Sequence, residues 1–184
     1  MAYIGLRKPI VGKRTAAGTY SDTAALGKAV SFSDTPNVAT AELYGDDSLA
    51  ESDKSVTKSA LVLGTTDIPD AMQEMIYGHT KSDAGEVTSK SDDDAGYCGL
   101  GLIGVKKVDG ERKFEARWYP KVQFEDPETS INTKGESTEF QTPSTNATAM
   151  PEDDGTWRTV ESFATEAEAL TYINGKFGKT TATA

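Results

Sequence analysis

One cysteine and one histidine stand in a chain of 184 residues. Cys98 alone can make no internal disulfide and no cysteine-based metal site, and its neighbourhood fits a small buried residue in a strand. Any Ser-His-Asp triad would have to pass through His79, yet no Gly-x-Ser-x-Gly elbow or other nucleophile context accompanies it. His79 follows a helical stretch, where the expected partners are the last helix carbonyls. No apolar run approaches the ~20 residues of a membrane span. The first residues, MAYIGLRKPIVGKR, lack the apolar centre of a secretory signal, so the expectation is a cytoplasmic product that is not secreted. The acid groups Asp46/Asp47, Asp92 to Asp94 and Asp153/Asp154 lack the alternate-position spacing of a calcium loop and read as solvated turns. Asn146-Ala147-Thr148 matches a glycosylation sequon but has no secretory route to serve it. The residues supply no catalytic constellation and call for no cofactor or metal.

Basic charge is also scarce. There are 19 Lys and Arg against 29 Asp and Glu, a net charge of −10. Such a body argues against a nucleic-acid binder, whose affinity comes mainly from neutralising phosphates. The imbalance is uneven: residues 1–30 are net basic through Arg7, Lys8, Lys13, Arg14 and Lys28, while residues 31–104 hold 14 acids against 4 bases. A basic N-terminal arm on an acidic body suits docking on a second copy, and equally suits a solvated terminus.

What the chain does have is alternation. In Lys113–Phe124, KFEARWYPKVQF, the even positions are Phe, Ala, Trp, Pro, Val and Phe, and the odd ones polar or charged apart from Tyr119. A period of two predicts one long strand with a single buried face. Pro120 cannot donate to a ladder and asks for an edge, a bulge or a break. The typical strand has about five or six residues, so this one suggests a sheet larger than a lone domain needs.

In chain order, Tyr3 to Val11 reads as a strand broken at Pro9, and Thr15 to Lys28 as a loop or loose arm. Ala29–Ser33 and Val38–Tyr44 read as two short strands joined by the turn residues 34–37. Gly45 to Lys54 reads as an acidic loop, and Val56 to Thr65 as a strand. Asp67 is the expected N-cap of a helix ending at Gly78, with Ile68, Met72, Met75 and Ile76 on its inner face. Thr80 to Gly96 is a surface loop, Tyr97 to Val108 a strand covered on both faces, and Val108-Asp109-Gly110-Glu111 a hairpin. After a polar loop over 125–135 come a Thr-rich strand over 136–149 around Phe140, a turn over 150–155, and a strand over 157–163. Thr165 and Glu168 form a capping box for a last helix carrying Ala169, Leu170, Ile173 and Phe177, stopped by Gly178. Residues 179–184 read as a flexible tail. Gly99-Leu100-Gly101-Leu102-Ile103-Gly104 matches G-x-G-x-x-G, but inside a strand rather than before a helix, so close approach of the sheet explains it better than a nucleotide. The fold class is mainly β (α+β), a single β-sandwich or barrel-like domain over 1–184 with one or two short flanking helices, its residues 1–28 being an arm of strand and loop.

Several segments, in order, carry a family resemblance. Leu43-Tyr44-Gly45-Asp46-Asp47 with Ala50-Glu51, Ile76-Tyr77-Gly78-His79, Arg112–Ala116 leading into Trp118–Val122, Lys134–Ser137, Glu139–Pro143, and Glu161-Ser162-Phe163 with Thr165–Ala169 resemble the major tail proteins of long-tailed phages of Gram-positive bacteria. The likeness runs from about residue 3 to residue 178. It implies a structural virion protein and no enzyme: a tail-tube fold assembling as hexameric rings that stack into the conduit for DNA ejection. Its implied partners are further copies of itself, a tape measure protein, a tail terminator and a distal tail protein, with DNA passing the lumen without specific binding. For ring stacking, the expected contacts are Asp46, Asp47, Glu51 and Asp53 in the acidic loop, and Arg7, Lys8, Lys13 and Arg14 in the basic arm. Rival readings are the tube of a contractile tail or of a phage-derived bacteriocin. A rival of another class is a monomeric carbohydrate-binding module, with Trp157 and Tyr119 as platform residues and Trp118 as core or interface.

Overall fold

The structure, a computed structural model, describes residues 2–45, 48–127, 133 and 142–179. The elements are β1 (Ala2–Ala16), β2 (Thr19–Ala25), β3 (Ala29–Gly45), β4 (Ser48–Thr65), α1 (Asp70–Tyr77), β5 (Thr80–Lys81), β6 (Val87–Thr88), β7 (Cys98–Val108), β8 (Glu111–Phe124), β9 (Ser144–Ala149), β10 (Thr159–Phe163) and α2 (Glu166–Lys176). Strands β5 and β6 form a small ribbon of their own; the other eight form one antiparallel sheet in the order β2-β1-β7-β8-β9-β4-β3, with β10 also on β8. The fold is mainly β with two short helices.

The β7–β8 hairpin is built as its sequence asks. Asp109 and Gly110 both take positive φ, 51° and 88°, the backbone that lets a two-residue turn match strand twist. Val108 then faces Glu111 and the ladder runs back from there. Strand β8 does not have the expected single buried face. Ala116 and Trp118 pack with Ile103 under Ala169, Ile173 and Phe177 of the α2 region. Tyr119, Val122 and Phe124 pack on the opposite side, with Leu61, Leu63, Leu100, Leu102 and Ile76. The switch occurs where Leu100 faces Tyr119 but Cys98 faces Val122, which puts an extra residue on β8 next to Pro120. This bulge is what the proline required, and it re-phases the strand so that even positions change sides.

Two layers result. Asp34 of β3 accepts a hydrogen bond from Tyr119 of β8 at 2.7 Å, although β9 and β4 lie between these strands in the sheet. The sheet therefore curls until its last strands cover its middle, and α2 covers the outside of β7 and β8. The Thr165/Glu168 capping box is present in full. Helix α1, with Met75, Ile76 and Tyr77 buried and Gly78 in the left-handed region, packs into the larger core, as its inner face predicts.

Other expectations are corrected. The strand expected to break at Pro9 runs on through Ala2–Ala16, with an irregularity between Arg7 and Ile10. The loose arm over 15–28 contains β2, paired with β1 through a turn at Ala17-Gly18. Residues 34–37 make no turn, and β3 is one strand of 17 residues. The acidic loop over 45–54 is largely strand, since Leu43 pairs with Glu51 and Ala41 with Asp53. Asp67 caps nothing; Pro69 occupies the N-cap position of α1, without a side-chain cap bond. Strand β9 begins only at Ser144, and Phe140 lies outside the described residues.

Candidate assembly surface

The β3–β4 hairpin outruns the sheet that carries it. Strand β9 pairs with β4 only over Ser59–Gly64, so beyond Pro36 and Ser59 each strand has, among the described residues, only the other for a neighbour. From Asn37 to Gly45 this arm extends about 30 Å at ~3.3 Å per residue. Residues 35–44 and 51–55 are exposed throughout, with Val38 at 54%, Leu43 at 60% and Tyr44 at 65%. A lone two-stranded ribbon is marginally stable in water, and large apolar side chains held in solvent call for something to cover them. Glu51 and Asp53, two apart, share a face of the arm and are exposed. Asp46 and Asp47 fall outside the described residues.

The basic residues of the N-terminal segment are spread along a strand. Arg7 forms an ion pair with Glu166 at the start of α2. Arg14 grips Glu152 through both Nε (3.0 Å) and Nη2 (2.6 Å). Lys8, at a positive φ of 54°, and Lys13 are exposed. The structure therefore brings Arg7 and Arg14 to acids of their own chain, and sets Glu51 and Asp53 on the arm apart from them.

Between arm and body lies a charged network that the sequence concealed. Glu115, only 5% exposed, accepts from Lys106 Nζ (2.8 Å), Arg117 Nε (2.8 Å) and Tyr3 Oη (2.6 Å). Asp34 accepts from Tyr119, from Ser59 and from Arg158 Nη1 at 2.6 Å. Burial pushes both carboxyls up, but these bonds and cations outweigh it and hold both below the usual carboxylate range. Burial, then the bond to Asp34, pushes the Tyr119 hydroxyl far up, so it stays a donor. The network ties the root of the arm to β8. Tyr119 is fully buried, which removes it as a carbohydrate platform, and the Arg158 guanidinium lies 4.4 Å from the centre of the Trp157 ring. Trp118 is core, as its alternation predicts.

His79 pairs with acids and not with helix carbonyls: Asp93 stands at Nδ1 (3.0 Å) and Asp126 at Nε2 (2.9 Å). Ser89 Oγ is also 3.2 Å from Nε2, so Ser89, His79 and Asp93 stand in the order of a triad. A triad needs Nε2 free to take the serine proton, and Asp126 competes for that nitrogen. Asp93 is thereby a hydrogen-bond partner of the His79 ring and of the Lys90 N–H rather than part of a merely solvated turn. The glycine motif sits within β7. A Cβ at Gly99 would meet Trp118 and Tyr20, one at Gly101 would meet Ile173, and one at Gly104 would meet Tyr3. Close packing on both faces, with no helix N-terminus following, accounts for all three. Cys98 is fully buried and its thiol is pushed up to about 12 by burial. Among the described residues, no group of three or more His, Cys, Asp or Glu is placed to hold a metal ion, and no helix is long and apolar enough to cross a membrane.

Sequence reasoning missed Val38, Leu43 and Tyr44 as surface groups and Asp34 as a network centre. The signal for the arm was the apolar residue count in 38–44 without a matching apolar face opposite. Compared with known proteins, the chain matches no family model and no curated protein.

Proposed function

We propose that this chain is a self-assembling structural protein of the tail-tube type, stacking as rings around a conduit for DNA in a virion. The observation that carries this reading is the β3–β4 arm, an extended ribbon exposed on both faces and displaying Val38, Leu43 and Tyr44. A monomer gains nothing from holding those side chains in water, whereas a neighbouring copy in the next ring can bury them. The sequence resemblance described above supports the same reading. The acidic balance suits it too, since a negative lumen repels phosphates and lets DNA slide. Further copies of the chain are the main partners, with tape measure, terminator and distal tail proteins as the partners the resemblance implies.

The test is negative-stain electron microscopy with sedimentation of the concentrated protein, alone and with a tail-tip initiator. Tubes or six-fold rings are expected. Changing Asp46, Asp47, Glu51 and Asp53 together to lysine is expected to block stacking while far-ultraviolet dichroism stays native. Unaltered tubes from that variant would refute the arm as the stacking contact, and a monomer under all conditions would refute the assembly reading. Cryo-electron microscopy of the tube then reads the lumen charge, and a neutral or basic bore would overturn the repulsion argument.

A further inference from the structure

We propose, resting on the assembly reading above, that the β3–β4 arm of one copy seats, Leu43 foremost, in a cleft at the root of β3 in a second copy. The cleft is open, about 470 Å³ in volume, and lies where the curled sheet brings β3 back against β1 and β7. Leu6, Phe32 and Leu102 wall it, and the exposed Tyr3, Gly5 and Val30 form its mouth. Two bulges shape that mouth. On β1, Tyr3 pairs with Lys106 and Gly5 with Val105, which makes Ile4 an extra residue; on β3, Ala29 pairs with Thr65 and Ser31 with Gly64, which makes Val30 extra. Bulges re-aim side chains, and here Ile4 is 53% and Val30 51% exposed, with Tyr3 at 56%. Three large apolar side chains held in water near one cleft gain nothing for the monomer. The mouth is also held in place. Arg117 Nη2 donates to Tyr3 Oη (2.7 Å), which in turn donates to Glu115 (2.6 Å), so binding has little left to order there.

Charge selects the occupant. The segments around the cleft, residues 2–8, 28–33 and 102–107, hold Arg7, Lys8, Lys28, Lys106 and Lys107 and no acid. Arg7 pairs with Glu166 and Lys106 with Glu115, while Lys8, Lys28 and Lys107 are exposed. The nearby acids are already taken: Asp34 by Arg158, and Glu115 by Lys106 and Arg117. On the arm, Leu43 faces Glu51 and Ala41 faces Asp53 across the strand pair. Opposed residues of an antiparallel pair share a face, so Leu43, two small alanines (39 and 41) and both acids lie together. That face has an apolar centre and an acidic flank; the cleft has an apolar centre and a basic rim. The fit is between unlike charges around like interiors.

An arm cannot reach its own cleft. Val30 at the mouth and Leu43 near the tip lie on the same extended strand, which sets them about 43 Å apart at the rise of a strand. The seat therefore belongs to another molecule, and the contact joins two different surfaces. A head-to-tail contact of this kind leaves one unused cleft and one unused arm at the ends of any assembly, so further copies can add.

The experiment places cysteines at both surfaces of the full chain, whose native thiol, Cys98, is fully buried. Val30→Cys with Leu43→Cys in one chain, oxidised after concentration, is expected to give a ladder of disulfide-linked multimers on a non-reducing gel. Either change alone is expected to give none, and dimers from Leu43→Cys alone would overturn the cleft in favour of a tip-to-tip contact. Where cysteine itself stops assembly, charge reversal decides. Lys28→Glu with Lys107→Glu should abolish pelleting while far-ultraviolet dichroism stays native, and adding Glu51→Lys with Asp53→Lys should restore it. Pelleting that ignores the rim reversal, or is not regained by the four changes together, would overturn the seat. The unaltered chain separates the two readings. If it never assembles, the tail-tube reading falls; tubes that give no ladder and ignore the rim charges leave that reading standing and remove only the cleft.

Discussion

The β7–β8 hairpin and the β3–β4 hairpin are made of the same parts and live in opposite surroundings. Both are long antiparallel pairs within one sheet. Strand β7 is buried from Cys98 to Val105, and β8 carries a core on each side. The β3–β4 pair begins the same way, with Phe32 and Asp34 opposite Leu63 and Leu61, and then leaves the body for water. Length is explained by packing in the first pair and by nothing within the monomer in the second. Under the proposed assembly, the difference locates where folding ends and association begins. Side chains on β8 hold the monomer together, while those beyond Pro36 are free to serve a neighbour.

That contrast can be broken by substitution. The largest expected effect is Phe124→Ala in the double-sided strand, a loss of about 3–5 kcal/mol by chemical denaturation, from transfer and cavity terms together. Asp34→Ala at the root of the arm should cost about 3 kcal/mol, because Tyr119 and Arg158 are left without their shared acceptor. An equal loss from Leu43→Ser would erase the distinction between root and tip.

Acid probes the same root more gently. Asp34 and Glu115 have native values held below their unfolded ones, so their contribution is present above the ordinary carboxylate range of about pH 4. It is lost as the pH falls through the depressed native values. Midpoints of denaturation should therefore drop on acidification below about pH 4, and Asp34→Asn should flatten part of that drop. The smallest monomer effect belongs to the arm: Leu43→Ser with Tyr44→Ser should leave monomer stability within about 0.5 kcal/mol, while sedimentation shows assembly lost.

What the sequence disclosed follows from how local each signal was. Asp109-Gly110 and the Thr165/Glu168 box act over four residues or fewer, and both stand as their residues predict. The buried run of β7 was legible because both faces are apolar. The arm was legible on its β3 side, where Val38–Tyr44 reads as a strand, but not on its β4 side, because alternation marks a strand only when one face is buried; Glu51, Ser52 and Asp53 are all exposed, and their composition imitates a loop. Strand β2 was missed because its small and polar residues show no apolar alternation, with Tyr20 packed on the core beside Trp118 and Phe177. The face switch on β8 depends on a bulge whose register only the partner strand reveals, although Pro120 announced some irregularity there. For the assembly surface, Glu51 and Asp53 were legible as acids but not as strand residues. The Asp34 network joins residues as much as 124 positions apart, beyond any local pattern.

The three glycines of β7 carry one more consequence. In a strand, Gly99 and Gly101 point to one side and Gly104 to the other, so a spacing that elsewhere cradles pyrophosphate here serves two different packing contacts. A methyl at Gly99 would stand 2.6 Å from Trp118 and 2.7 Å from Tyr20, so even alanine demands that an aromatic ring move. In any collection of relatives these positions should resist replacement as stubbornly as a catalytic site. Invariance of that kind would record only how thin the sheet must be.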